Sequence, residues 1–416
     1  MCQHPPSGSP QSHSTADHGT RSDEAFPWDG GAYDAHCHPT DTMPSIANIS
    51  SMCTQTLTLM ATRSEDQDLV DSVAKEQGIQ NQTALTSANR TEGRVVPAFG
   101  WHPWFSYQLY DDTLPAKEAT YDPSAADRAS QKNRHYNAVL APAPTPSFID
   151  SHPDPQPLSS FLDATRSRLQ RHPLGLVGEI GLDRAFRLPN AWTRDEHSAR
   201  DEGLTPGGRE GRHLSPYRVK VAHQTAVLEA QLRLAGELGR AASVHGVQAP
   251  GVLFDLLQSL WKGHEREVTP RKLRRKVAPG AEDFEDWSED EGGDGESTRG
   301  RSIAPKPFPP RICLHSFSGP VELLRQYLSR PVPVRFFFSF SVVVNLSTPG
   351  GERRFLEVVH ACPDDQLLVE SDLHFAGKDM DLALEQMYRK ICDIKGWSLQ
   401  EGVAKIRRNY EEFIFG

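Results

Sequence analysis

The sequence predicts one α/β domain folded as a (β/α)8 TIM barrel. Three observations carry this expectation. Short β-branched runs alternate with amphipathic helical stretches through eight rounds. Histidines and carboxylates recur at the C-terminal ends of those runs, where barrel enzymes build their sites. No glycine-rich phosphate loop follows the first run, which argues against an open doubly wound sheet.

The first strand, Ala32 to Cys37, leads into Asp34-Ala35-His36-Cys37-His38. Residues i and i+2 of a strand share a face roughly 6.6 Å apart, so one strand end offers two imidazoles to a metal. Thr56 to Ala61 is the second strand, and Glu65 to Gln77 a helix with Ser64 as its N-cap. Val95 to Trp101 is the third strand and Leu158 to Arg171 the next helix. The fourth strand, Leu174 to Ile180, carries Glu179. Helix Val219 to Leu238 shows an apolar stripe of Val227, Leu228, Leu232, Leu234, Ala235 and Leu238. Strand five, Ala242 to Gly246, carries His245, and strand six, Arg311 to Ser316, carries His315, with helix Val252 to Trp261 between them. Helix Val321 to Leu328, strand seven at Phe336 to Val342 and helix Glu352 to His360 follow. The eighth strand, Gln366 to Ser371, runs into Asp372, and helices Met380 to Asp393 and Ser398 to Tyr410 end the chain.

Residues 1–30 read as a disordered tail. Met1 to Trp28 is rich in Ser, His, Pro and Gly and lacks the apolar stretch of a signal peptide or anchor. Residues 31–416 form the barrel domain, with insertions at 111–157, 189–216 and 263–310. The first is rich in Ala, Pro, Asp and Ser, and the second is polar with Gly and Arg. The third carries a basic block, Arg271 to Lys276, ahead of an acidic run, Glu282 to Glu296. Such composition buries too little apolar surface to offset the entropy of ordering, which predicts disorder in all three. The basic block reads as a solvated linker neutralised by its acidic neighbour, with a nuclear-import or nucleic-acid patch as the alternative.

A formal net charge of −10 gives no global attraction to a polyanion, so any DNA contact must be local or metal-mediated. The six cysteines form no CxxC pair and suit the reducing cytoplasm or nucleus. No run approaches the roughly 18 apolar residues of a membrane span, which predicts a soluble protein.

His36, His38, Glu179, His245, His315 and Asp372 are the candidate metal ligands. Each is costly to bury unpartnered, and coordination removes that cost for all of them together. Six side chains exceed the need of one tetrahedral ion. They predict a binuclear centre about 3.5 to 4 Å across, with Glu179 able to bridge. Mixed imidazole and carboxylate ligation suits Mg2+, Mn2+ or Zn2+. Two divalent ions sharing a water lower its pKa, so hydrolysis is the natural chemistry, with Glu179 and Asp372 as catalytic residues and Asp372 also the proton acceptor. Glu370 is expected on the substrate side, orienting Asp372 or contacting a further ion. Cys37 and Cys313 are expected to face the helix layer as core thiols.

The order and wording of these motifs resemble the TatD-related metal-dependent hydrolases of the amidohydrolase superfamily. The matching stretches are Asp34 to His38, Gly100-Trp101-His102-Pro103, Gly178-Glu179-Ile180-Gly181-Leu182-Asp183, Gln224 through His245, Leu314 to Gly319 and Glu370-Ser371-Asp372, with Asn409-Tyr410 through Phe413 as the ending. The resemblance implies a TIM-barrel phosphodiesterase or DNase with the six residues above at the ligand positions and His102 contacting substrate phosphate. Trp101 or Trp104 could stack on a base, although burial under the first insertion is the simpler fate. Gly246-Val247-Gln248 stands where bacterial relatives usually carry a basic residue, and Leu373-His374-Phe375 where they commonly have a proline; both touch substrate contacts rather than ligands. The insertions most resemble a fungal branch described as partners of an anaphase-promoting-complex subunit. The leading expectation is a DNase, acting as an exonuclease. A hydrolase of a small ester, phosphodiester or amide is one alternative, and a non-catalytic interaction protein on the same barrel is the other.

Overall fold

The computed structural model describes residues 24–86, 93–115, 117–267 and 305–416. Eight parallel strands form one sheet: β1 (Tyr33–Cys37), β2 (Thr56–Met60), β3 (Val95–Phe99), β4 (Leu176–Asp183), β5 (Ala242–Val247), β6 (Arg311–Leu314), β7 (Arg335–Phe340) and β8 (Leu367–Val369), hydrogen-bonded in chain order. Just past the strand ends, Asp372 N–H donates to His36 O at 3.0 Å and His38 N–H to Leu373 O at 2.8 Å, which brings β8 against β1 and closes the barrel. The outer layer holds α1 (Ser64–Gln77), α2 (Arg128–Val139), α3 (Leu158–Arg171), α4 (Val221–Glu237), α5 (Pro250–Trp261), α6 (Val321–Tyr327), α7 (Pro349–Ala361), α8 (Lys378–Lys395) and α9 (Leu399–Phe415).

A parallel sheet must be covered on both faces, and two clusters do this. Outward residues such as Leu57, Leu59, Val177, Val244, Leu314 and Phe338 pack against the helices. Inward residues such as Tyr33, Ala98, Leu176, Phe337 and Leu368 fill the barrel together with Tyr410 and Phe413 of α9. Ser398 caps α9 in a box with Glu401. Asn409 Nδ2 donates to Asp364 O and Leu367 O, and Arg311 Nε donates to Phe413 O, so α9 seals the end of the barrel opposite the strand C-termini. No helix among the described residues is long and apolar enough to cross a membrane.

Several expectations need correction. The cap of α1 is Arg63: the Asp66 carboxylate accepts the backbone N–H of Thr62 and Arg63 at 2.9 and 3.0 Å, while Ser64 is already helical. Strand seven stops at Phe340 because Ser341 turns the chain, its hydroxyl capping a short helix at Val342–Asn345. Cys37 does pack in the outer layer, but Cys313 lies two residues from His315 and shares its face. Its thiol sits 3.2 Å from Ser339 Oγ inside the barrel.

The tail is shorter than expected, because Phe26 is buried and meets the Tyr388 ring edge-on at 5.6 Å. Residues 1–23 and 268–304, and with them the basic block and acidic run, lie outside the described residues. Residues 111–157 and 189–216 are folded, contrary to their composition. Tyr136, Val139, Leu140, Phe148 and Ile149 make a second core with Tyr107, Leu188, Tyr217 and Val219, and Leu140–Ala141 pairs antiparallel with Arg218–Val219. Half of that core comes from outside the segment, which is why its own composition under-reports it. Residues 189–216 are ordered chiefly by polar contacts with the rim: Thr205 N–H donates to Asp41 O, and Arg63 Nε to Pro206 O.

The folded insertion carries an acid sensitivity. Burial pulls His135 down to about 4, although its contact with Tyr107 O opposes this, and burial also lowers His152 and His223. A histidine depressed by folding binds fewer protons native than unfolded. Its stabilising contribution is complete above pH 6.5 and is lost as pH falls through the folded value. For His135 the loss approaches about 3 kcal/mol near pH 4. Hydrogen exchange should show α2 losing protection between pH 6.5 and 4 before the barrel strands do. Simultaneous loss in both, or none in α2, would contradict this.

Candidate metal centre

The candidate ligands sit at or near the C-terminal ends of their strands, except Glu179, which lies within β4, and neighbouring backbone fixes most of them. His102 N–H donates to Thr62 O at 2.8 Å and His315 N–H to Val244 O at 3.2 Å, continuing the parallel ladders to the rim, while Glu179 N–H donates to Ala61 O at 3.0 Å, past the end of the non-adjacent β2. Two register slips then decide which side chains enter the barrel. In β1, Asp34 pairs with Leu57 but Cys37 with Leu59, so Ala35 and His36 together oppose Thr58. In β4, Val177 pairs with Ala242 but Ile180 with Val244, so Gly178 and Glu179 together oppose Ser243. Each is a β-bulge, and the extra residue turns the following side chain onto the inner face. Ser243 is common to both regions, its Oγ lying 2.9 Å from His36 Nδ1.

The two oxygens of Glu179 face two groups of imidazoles. Oε2 lies 3.5 Å from His36 Nε2 and 3.4 Å from His38 Nε2, and Asp372 Oδ1 lies 3.5 Å from the same His38 nitrogen. Oε1 lies 2.9 Å from both His245 Nδ1 and His315 Nε2, and 3.1 Å from His102 Nε2. Within each group the imidazole nitrogens point at one another: His36 Nε2 and His38 Nε2 are 3.1 Å apart, and His245 Nδ1 and His315 Nε2 are 3.0 Å apart. All these residues are buried. The six expected ligands are therefore brought together as two groups sharing one carboxylate. His102, expected only as a phosphate contact, stands among the donors of the second group.

The electrostatics follow from this crowding. Burial pushes the Glu179 carboxyl up, but the His102, His315 and His36 charges outweigh it and hold the group well below the usual carboxylate range. Asp372 is likewise held low against its burial by the His38 hydrogen bond and the surrounding histidines. Burial lowers His38, yet Asp372 and Glu179 raise it to about 9; His315 and His245 are raised by the same balance. Burial prevails at His36, which is lowered, and at His102, which falls to about 4. Imidazole nitrogens facing each other across a low-pKa carboxylate form a donor set suited to divalent cations, which compete with protons for the same atoms.

Glu370, expected on the substrate side or at a further ion, converges with His36 and His315 as a third group of donors. It is fully buried in the barrel interior, accepts the hydroxyls of Ser316 and Ser339, and stands 3.5 Å from His315 Nδ1. Asp372 itself reaches the rim through a left-handed turn, with φ of 55°, and Ser316 adopts 42°. Such conformations are strained for residues with a side chain and collect at functional sites.

Sequence reasoning missed the supporting residues. Asp183 Oδ2 lies 3.2 Å from His245 Nε2 and accepts Trp104 Nε1 at 2.6 Å, so it orients the ligand imidazole from behind. The signal was present, four residues past Glu179 on one strand. Asp34 accepts Ser371 N–H and Oγ, tying β1 to the Asp372 segment; burial lifts it to about 7. Trp101 is buried with Nε1 donating to Phe105 O, whereas Trp104 is half-buried and stacks on Phe186.

A family model described as TatD related DNase matches residues 33–415. Among relatives, Cut9-interacting protein scn1 of Schizosaccharomyces pombe is 35% identical over 381 residues, covering 92% of this chain and 98% of the relative. A protein of Saccharomyces cerevisiae named as an uncharacterized deoxyribonuclease is 23% identical over 345 residues, covering 80% and 86%. Among solved structures, a TatD family hydrolase from Entamoeba histolytica is 11% identical, covers 92% of this chain and 98% of its own, and superposes with a TM-score of 0.48.

Proposed function

The chain belongs to the TatD related DNase family, and on that premise we propose that its rim site is a metal-dependent phosphodiesterase acting on DNA ends as an exonuclease. The observation that carries this reading is the split of Glu179, with one oxygen toward His36 and His38 and the other toward His245 and His315. Those residues and Asp372 would hold two divalent ions, Mg2+, Mn2+ or Zn2+. The bound pair supplies Lewis acidity for the phosphoryl oxygens and an acidified water.

The chain's own groups do the rest. Asp372 is the proton acceptor, kept ionised by His38, and its strained turn sets the carboxylate against the first group. His102 Nε2, beside Glu179 Oε1, takes the substrate phosphate. Asp183 fixes the His245 ring, and Ser243 the His36 ring. Burial of the whole set excludes bulk water and strengthens each of these interactions.

Stripping the protein with EDTA and restoring each ion separately, with single-stranded DNA, duplex DNA and a bis-phosphodiester as substrates, tests the reading. We expect turnover to vanish and to return with at least one ion. Full turnover after stripping refutes metal dependence, and restored turnover only on the small compound moves the assignment to a small-molecule hydrolase.

The name of the fission-yeast relative favours a second reading, protein binding, which is compatible with catalysis. A pull-down with a Cut9-type protein using the Glu179→Gln variant separates binding from turnover. Residence in the cytoplasm or nucleus belongs to the same proposal and rests on the cysteine pattern alone.

A further inference from the structure

Beside the donor cluster, β4 runs out into Arg184-Ala185-Phe186-Arg187, a turn that the chemistry above does not use. Both of its ends are pinned. Asp183 Oδ1 accepts the backbone N–H of Ala185 at 2.6 Å and of Phe186 at 2.9 Å, and Leu188 is buried in the second core with its N–H on Tyr217 O. The Phe186 ring stacks on Trp104 with centroids 4.1 Å apart and planes 9° from parallel. Trp104 in turn meets His102 edge-on at 4.7 Å. Both stacked rings are only half-buried, which leaves an aromatic step at the mouth of the site.

Arg184 and Arg187 are exposed, and no carboxylate among the described residues pairs with either. Arg218 is exposed and likewise lacks an acid partner among the described residues, and its Nη1 rests 3.4 Å from Arg184 O. Arg166 with Glu237 and Arg335 with Asp365 show the ion-paired alternative; what sets this turn apart is that its arginines flank the aromatic step beside the donor cluster. Asp183, the acid that starts the turn, is engaged by Trp104, His245 and the turn backbone.

Three exposed arginines without an acid partner among the described residues, on and beside the turn that carries an open aromatic stack, are what a single nucleic-acid strand requires, phosphate charge and a base platform together. We infer that the Arg184–Arg187 turn, with Arg218, is a strand-binding shelf that holds single-stranded DNA beyond the bond presented to Glu179. This rests on the phosphodiesterase reading and answers its main difficulty, the acidic overall charge.

The test compares wild type with the Arg184→Ala/Arg187→Ala double variant in the metal-loaded full chain. Anisotropy of a short labelled single-stranded DNA is measured against salt, and kcat/KM is measured for that DNA and for bis(p-nitrophenyl) phosphate. We expect Kd to rise by roughly tenfold or more, and the slope of log K against log salt to fall by about 1.4, which is 0.7 for each lost contact. The ratio of kcat/KM for DNA over the small compound falls with it. An unchanged Kd and slope, or equal losses on both substrates, overturns the shelf. Wild type that cleaves neither substrate while the double variant still loses DNA affinity defeats the phosphodiesterase reading and leaves the shelf intact. Phe186→Leu supplies an independent check: weaker DNA binding with an unchanged salt slope is expected, because it removes stacking and no charge, and unaltered binding counts against the base platform.

Discussion

Glu179→Gln lowers phosphodiester turnover by roughly three orders of magnitude or more, the scale on which deletion of one key electrostatic contact acts. The isosteric amide keeps the shape but removes the negative charge that both imidazole groups share. Oε1 alone has three imidazoles within 3.1 Å, whereas Asp183 and Glu370 each face one of them, at 3.2 and 3.5 Å. The ion count per chain, read by elemental analysis, should fall below two. Asp372→Asn, which faces only the His36 and His38 group, should reduce occupancy less. The metal-free Glu179→Gln protein should also melt earlier than metal-free wild type, since His102, His245 and His315 lose their common counter-charge. A Glu179/Asp372 double variant with full turnover would remove both residues from the mechanism.

Gly100→Ala destabilises the barrel by about 1–3 kcal/mol, the usual cost of overpacking a close-packed interior. A Cβ at this position would stand 2.6 Å from the carbonyl carbon of Gly178 and 2.8 Å from Glu179 O. The obstacles are β4 backbone and, at 2.8 Å, the Cγ2 of the stiff β-branched Ile180, so β3 must separate from β4. Because the atoms struck belong to the bulge that aims Glu179, activity should fall further than stability explains. Thermal melts and kcat measured well below the melting point separate the two effects. A variant with wild-type Tm and kcat would show that the β3 and β4 backbones tolerate more distance than their packing implies.

The fold and the convergence of the candidate site residues were largely legible from local pattern. Alternating runs gave the strands within a few residues, because apolar periodicity is a local consequence of which face is buried. The His36-x-His38 spacing and the polar residue closing each strand pointed to the side chains that converge in the candidate centre, because uncompensated polar groups at buried strand ends are costly. Less legible were residues whose role depends on partners far away in the chain. The insertion 111–157 looked too polar to fold until Leu188, Tyr217 and Val219 completed its core. Glu370 looked like a rim residue until Ser316 and Ser339 enclosed it. Asp183 attracted no role until His245 was placed beside it.

The sequence by itself determined that this chain is an eight-stranded barrel with imidazoles and carboxylates at its strand ends. It did not determine that His36 and Glu179 face inward. Counted by strict alternation, His36 shares a face with Asp34, and Glu179 shares a face with the outward Val177. Only the two bulges, at Ala35 and His36 and at Gly178 and Glu179, turn them into the barrel. A bulge is a mismatch in count between two paired strands, settled when both strands have met, so neither strand's own residues spell it out.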